Sequence, residues 1–170
     1  MKNSQVLIPF LLFCTVMVFA DTSNVSWGAR GAAVAKNPTV ESMLQYAVED
    51  EYLARAEYEA IMAKFGAIRP FSNIIKSEES HIGWISDVYQ LRKSTVPKDR
   101  AKEFVVVPAT LEDAFKTGVQ AEIDNIAMYD SFLANPLIQK SENAVLQDLF
   151  TRLRDASKNH FSAFQNGLTR

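Results

Sequence analysis

Five residues can supply metal-binding or acid–base chemistry: Glu51, Glu78, His81, Glu122 and His160. Glu78 and His81 stand three apart, so on a helix they project from one face. His81 and His160 are the only two histidines of the chain. All five fall on stripes that are otherwise apolar. An unpaired buried carboxylate costs several kcal/mol, so charges converging on a core need a shared compensation. A bound cation provides one, because carboxylates neutralise it and imidazole nitrogens complete its shell.

The elements that carry these residues are helical. A first segment from about Thr39 to Phe65, closed by Gly66, has the seam Leu44, Ala47, Glu51, Ala54, Tyr58, Ile61, Phe65, in steps of three and four. A second begins near Pro70, a residue suited to a first helical turn; its seam is Phe71, Ile74, Glu78, His81, Ile85, Val88, Leu91. Thr110 with Asp113 resembles a capping box and opens a third segment with the stripe Phe115, Val119, Glu122, Ile126, Tyr129, Leu133, ended by Asn135-Pro136. A fourth, from about Ser141 to Gly167, has the seam Leu146, Phe150, Leu153, Ser157, His160, Phe164. Val105–Val107 is too short to define a sheet.

These segments predict an all-α fold with four amphipathic helices. Residues 93–110, with Pro97, Pro108 and the charges between Lys98 and Glu103, form one long connection of roughly 18 residues. Extended, it reaches up to roughly 60 Å, against roughly 38 Å for a 25-residue helix. It is therefore long enough to cross the length of a bundle.

The chain of 170 residues suffices for one domain. With a net charge of −2 and no basic arm, it has no electrostatic basis for binding nucleic acid. Lys2, the apolar run Val6–Ala20 and the small residue at Ala20 read as a secretory signal peptide over residues 1–20. That predicts a periplasmic or secreted protein with no stable membrane insertion after cleavage. Lipidation at Cys14 is the competing reading, although Leu12 and Phe13 stand where small residues are needed. Cys14 is the only cysteine, so cleavage after Ala20 leaves neither a disulfide nor a thiolate site. Residues 21–38, small and polar with Gly28, Gly31 and Pro38, read as a flexible segment, with Trp27 docking on the surface.

The pattern Glu51, Glu78-Glu79-Ser80-His81, Glu122 and His160 resembles the ferritin-like di-metal carboxylate proteins, which use one Glu from each of two helices and a Glu-x-x-His pair from each of the others. The stretch Glu51-Tyr52-Leu53-Ala54-Arg55-Ala56-Glu57-Tyr58 is similar to the first-helix motif of rubrerythrins. Phe71-Ser72-Asn73-Ile74, Ser77-Glu78 with His81, and Asn159-His160 with Phe164 look like a narrower branch, exported ferritin-like domain proteins of unassigned function. The resemblance spans roughly residues 40–165. It implies a ferritin-like four-helix bundle over residues 39–167 with one long crossover between the second and third helices. It also implies iron, as two ions, or manganese, held by Glu51, Glu78, His81, Glu122 and His160. The implied activity is oxidation of ferrous iron or reduction of peroxide or oxygen, with a small oxidant as partner and a homodimer as the assembly. A rubrerythrin's cysteine-ligated iron domain has no counterpart, so electrons would come from a separate partner.

One position departs from the pattern. Ser157-Lys158-Asn159-His160 stands where Glu-x-x-His is expected, so one metal position lacks a terminal carboxylate and the site holds two ions asymmetrically, one, or none. Asp155 faces away and does not replace it. Each residue also has a structural reading. Glu78 and His81 fit a metal-free buried pair, Glu51 a salt bridge with Arg55, and His160 a satisfied core histidine. At Glu122, Asp124 and Asn125 compete for the inward face. Tyr58 and Tyr129 read as packing residues able to donate to a ligand carboxylate. The rival function is a metal-free or single-metal helical bundle acting in binding or structure.

Overall fold

The computed structural model describes residues 27–169, and these are all-helical. The elements are α1 (Gly28–Val34), α2 (Val40–Phe65), α3 (Phe71–Leu91), α4 (Leu111–Leu133) and α5 (Ala144–Leu168), with short 3-10 turns at Ala101–Glu103 and Ser141–Asn143. There is no strand among the described residues. None of the described helices is long and apolar enough to cross a membrane. The expected signal peptide and Cys14 lie outside the described residues.

Local chemistry sets the helix ends. Thr39 caps α2 by accepting from the Ser42 N–H at 3.2 Å. At the other end Gly66, with φ 91°, turns the chain out while its N–H donates to Met62 O at 2.9 Å. Thr110 caps α4, accepting from the Asp113 N–H at 3.0 Å and donating to the Asp113 carboxylate at 2.7 Å. Asn135 Oδ1 accepts from the Leu137 N–H at 2.9 Å in the turn that leads away from α4.

Helix α2 packs on α3, α4 on α5, α3 on α5, and α2 more lightly on α4; α1 lies against α2 and α4. Two apolar clusters fill the interior. One gathers Met43, Val48, Ile85, Tyr129, Phe132 and Phe150 among others. The other gathers Tyr58, Ile61, Phe71, Ile74, Ala114 and Phe164. Along α3, α4 and α5 the chain passes from one cluster to the other through the positions of Glu78, His81, Glu122, Ser157 and His160. The polar residues thus form a layer between two apolar ends. Such burial stabilises by about 25 cal/mol per Å² of apolar surface, and that gain is what holds the charges in place.

Besides Leu91, which ends the expected seam of α3 but is 67% exposed, the structure corrects the sequence reading in two places. Within the expected flexible segment 21–38, the described residues 27–38 are not a featureless tether, because Gly28–Val34 forms α1. Trp27 is 9% exposed; its indole N–H donates to Glu49 O at 3.1 Å, and its ring lies 4.7 Å from Phe104. The Gly28 N–H donates to Glu49 Oε2 at 3.1 Å and the Ala29 N–H to Asp50 Oδ1 at 2.8 Å, so two α2 carboxylates serve the free amides of α1. Gly28 has φ 54°, and a Cβ there would lie 2.7 Å from Asp50 Oδ1, so glycine alone fits this approach. Small residues dock α1 by backbone proximity, which leaves no hydrophobic period to read.

The second correction concerns α4. Its buried face is Ala114, Gly118, Glu122, Asn125, Met128, Tyr129 and Phe132. Phe115, Val119, Ile126 and Leu133 lie half-buried on its flank. A Cβ at Gly118 would sit 2.8 Å from the Phe164 ring, so α4 turns its smallest residue toward α5 and rotates the stripe.

Candidate metal centre

All five sequence-predicted site residues meet in the polar layer, each nearly inaccessible to solvent: Glu51, Glu78, His81, Glu122 and His160. Glu51 comes from α2, Glu78 and His81 from α3, Glu122 from α4, and His160 from α5. Their ligand atoms form two groups, Glu51 with Glu78 and His81, and Glu78 with Glu122 and His160; within each, the atoms lie within 4.8 Å of one another. Glu78 is shared. Its Oε2 is 2.9 Å from His81 Nδ1 and its Oε1 is 3.3 Å from His160 Nδ1. Glu51 Oε2 stands 3.0 Å from His81 Nδ1, and Glu122 Oε1 stands 3.5 Å from His160 Nδ1.

Two tyrosines buttress the outer carboxylates. Tyr129 donates to Glu51 Oε1 at 2.7 Å and Tyr58 to Glu122 Oε1 at 3.0 Å. They are donors to the site as well as packing residues. Arg55 does not pair with Glu51; it bridges to Asp99 at 2.6 Å on the surface. Asp155 also points outward, to Arg154 at 3.0 Å and Lys158 at 3.4 Å. Asp124 is half-buried and accepts from Gln120 at 2.8 Å, so Glu122 and Asn125 take the inward face. Ser157 is buried in the layer, with its hydroxyl donating back to Leu153 O at 3.1 Å.

The electrostatics follow from burial and mutual charge. Burial, with the neighbouring Glu78 charge, pushes Glu51 up to about 7. Burial also works against the Glu78 charge, but His160 and His81 overcome it and hold Glu78 at about 2. His81 rises to about 9 because Glu51 and Glu78 outweigh its burial, and Glu122 and Glu78 raise His160 to about 10 in the same way. Glu122 is raised, chiefly by burial. Without a cation, two protonated imidazoles therefore face an ionised Glu78, while burial draws Glu51 and Glu122 toward their neutral forms. One buried acceptor of this layer, Glu122 Oε2, has no hydrogen-bond partner among the described residues.

The donor set fits a cation. Carboxylate oxygens and imidazole nitrogens converge in each of the two groups, and Glu122 Oε2 is a buried carboxylate oxygen without a hydrogen-bond partner among the described residues. What sequence patterning missed lies next to this set. The Trp84 ring is 5.0 Å from the His81 ring and stacks under the Arg152 guanidinium at 3.9 Å. Trp84 stands three residues after His81, the spacing that would have flagged it. A further signal was the pair of spacings Glu51 to Tyr58 and Glu122 to Tyr129, both seven residues.

No family model matches the chain, and no curated protein matches it. Among solved structures, the crystal structure of a hypothetical protein from Methanococcus jannaschii DSM 2661 is similar, with a TM-score of 0.64 and 21% identity over 80% of this chain and 85% of that one. At that identity the likeness concerns the fold alone.

Proposed function

We propose that the protein is a ferritin-like metal-binding protein, a four-helix bundle of α2 to α5 in which residues 92–110 make the long crossover. Glu51, Glu78, His81, Glu122 and His160 hold the metal, with Glu78 between the two positions. The observation that carries this reading is the convergence of these side chains into two overlapping carboxylate–histidine groups in a solvent-excluded layer. Oxygen and imidazole donors without thiolate favour iron or manganese over zinc. Bound iron or manganese would supply redox chemistry toward ferrous ion, oxygen or peroxide. The chain's own contributions are definite. Tyr58 and Tyr129 orient the outer carboxylates, the apolar clusters exclude water, and His81 and His160 release their protons when they ligate. The amino-terminal signal-like segment supports export to the periplasm or the medium.

The second reading is a metal-free or single-metal bundle acting as a binding or structural protein. Charge balance within the layer favours it, since raised histidines compensate the carboxylates without a cation. Elemental analysis separates the two readings. The metal-binding reading expects stoichiometric iron or manganese in the purified protein and its loss in a Glu78→Ala, His81→Ala double variant. Metal-free preparations that take up neither ion on reconstitution would sink it.

A further inference from the structure

We infer that Asn125 is a further residue of the centre, its side-chain amide oxygen joining Glu122 in holding a hard, oxygen-preferring divalent cation. This inference rests on the metal-binding reading above and adds to it a residue that sets which metal is preferred.

Two side-chain acceptors, Glu122 Oε2 and Asn125 Oδ1, are buried with no hydrogen-bond partner among the described residues. Their residues stand three apart on the buried face of α4, and so share one side of that helix. Asn125 is 6% exposed and sits one turn from Glu122 and one turn from Tyr129. Glu122 and the Glu51 that Tyr129 holds both belong to the candidate ligand groups, so the orphaned amide falls within the polar layer. The hydroxyls of that layer are engaged elsewhere. Tyr129 donates to Glu51, Tyr58 to Glu122 Oε1, and Ser157 to Leu153 O. A buried acceptor is costly until a donor or a cation reaches it, and two on one helix face call for one electropositive partner.

Helix α2 supplies an internal comparison. Its Glu51, Ala54 and Tyr58 repeat the spacing of Glu122, Asn125 and Tyr129 on α4. The two helices also exchange their tyrosine–glutamate bonds. At the middle position α2 carries a methyl group and α4 an amide. Alanine meets the packing need on α2, whereas Asn125 adds an oxygen to the layer without adding a charge.

That oxygen bears on metal choice. Each ligand group offers two carboxylates and one imidazole. Zn²⁺ is satisfied by four ligands and suits imidazole, whereas Mn²⁺ takes an octahedral shell rich in oxygen and accepts carbonyl donors. A neutral amide oxygen therefore contributes more to holding Mn²⁺ than to holding Zn²⁺.

The test measures both ions on the full metal-free chain, Mn²⁺ from the paramagnetic resonance signal of the free ion and Zn²⁺ by competition with a chromophoric chelator. Asn125→Leu should weaken Mn²⁺ binding by roughly tenfold or more and Zn²⁺ binding by no more than about threefold. Its metal-free melting temperature should equal or exceed that of the wild type, because the orphaned acceptor is gone. Asn125→Ala, which copies α2, should show the same loss of Mn²⁺ and carries the test if Asn125→Leu does not fold. Asn125→Asp, which keeps an oxygen at the position, should retain Mn²⁺ binding. Unchanged Mn²⁺ affinity in Asn125→Leu or Asn125→Ala, an equal loss of both ions, or a metal-free Asn125→Leu melting below the wild type would overturn the role of Asn125 while leaving metal binding intact. A wild type that takes up neither ion would overturn the metal-binding reading itself, and this inference with it.

Discussion

Tyr129 of α4 donates its hydroxyl to Glu51 Oε1 of α2 at 2.7 Å, and both residues are almost completely buried. Tyr58 of α2 returns the contact to Glu122 of α4 at 3.0 Å. Helices α2 and α4 touch only lightly elsewhere, so this exchanged pair fixes their register where the ligands stand. Burial and the adjacent carboxylates push both phenols well above their ordinary range, so both remain donors at any working pH.

Tyr129→Phe removes a donor and leaves Glu51 Oε1 buried without a partner. The expected cost is about 1–3 kcal/mol in urea unfolding of the metal-free protein, with Tyr58→Phe in the same range. Cation affinity should fall by roughly 10–100-fold in each, because the carboxylate is no longer held in its rotamer. Equal stability of Tyr129→Phe and wild type would show that the hydroxyl is replaceable by water.

The α5 seam was legible in the sequence apart from Leu149, which is also buried. Leu146, Phe150, Leu153, Ser157, His160 and Phe164 are all buried, since this helix is strongly amphipathic and lacks a small-residue face. Glu51, Glu78, His81 and His160 were legible for the same reason, as charges interrupting an apolar period. The α4 stripe was misread because Gly118 has no side chain to mark the inward face, and close approach to Phe164 is a tertiary fact. Helix α1 was missed because its docking uses backbone amides and the Glu49 and Asp50 carboxylates. The crossed Tyr–Glu bonds depend on the relative register of α2 and α4, which no single-helix pattern encodes.

The metal-free protein should be less stable at pH 9 than at pH 6. His81 and His160 are raised from 6.5 to about 9 and about 10, so their contribution is complete below pH 6.5 and is lost as pH rises through those values. Glu51, raised from 4.5 to about 7, adds a loss in the same direction between those values, and Glu122 acts in the same sense. Glu78, lowered to about 2, stabilises above pH 4.5 and stops doing so as pH falls toward 2. Cations compete with the protons on His81 and His160, so the rise in Tm with saturating Mn²⁺ should grow from pH 6 to pH 8. Thermal melts with Mn²⁺ or EDTA check both trends. Melting temperatures identical in the two would leave only the proton effect and favour the metal-free reading.

Trp84 lies 5.0 Å from the His81 ring, close enough for a paramagnetic ion on His81 to quench its fluorescence. Adding Co²⁺ should dim the protein's emission, and Trp84→Phe should remove the effect. Trp27→Phe should keep it, because Trp27 sits on the outer face against Glu49 and Phe104. Quenching that survives in Trp84→Phe would place the ion elsewhere.

Glu57 gives a stability test outside the metal centre. It faces a cavity of about 200 Å³ between α2 and α4, lined also by Trp27, Arg30, Asp50 and Asp124. Burial pushes its carboxyl from 4.5 up to about 7, and attraction from Arg30 offsets only part of that. The unfolded chain therefore ionises first, and the fold loses stability as pH climbs from 4.5 to 7, with the full loss present above 7. Glu57→Gln removes the cost, so the variant should gain about 1–3 kcal/mol at pH 8, after allowing for partial solvent access. At pH 4.5 the gain should shrink to about 0.4 kcal/mol, because the wild-type carboxyl is protonated in the fold and only half ionised in the unfolded chain. Urea unfolding at the two pH values measures the difference. A variant less stable than wild type at pH 8 would mean that the charge is held by an attraction stronger than its burial, with Arg30 the nearest candidate.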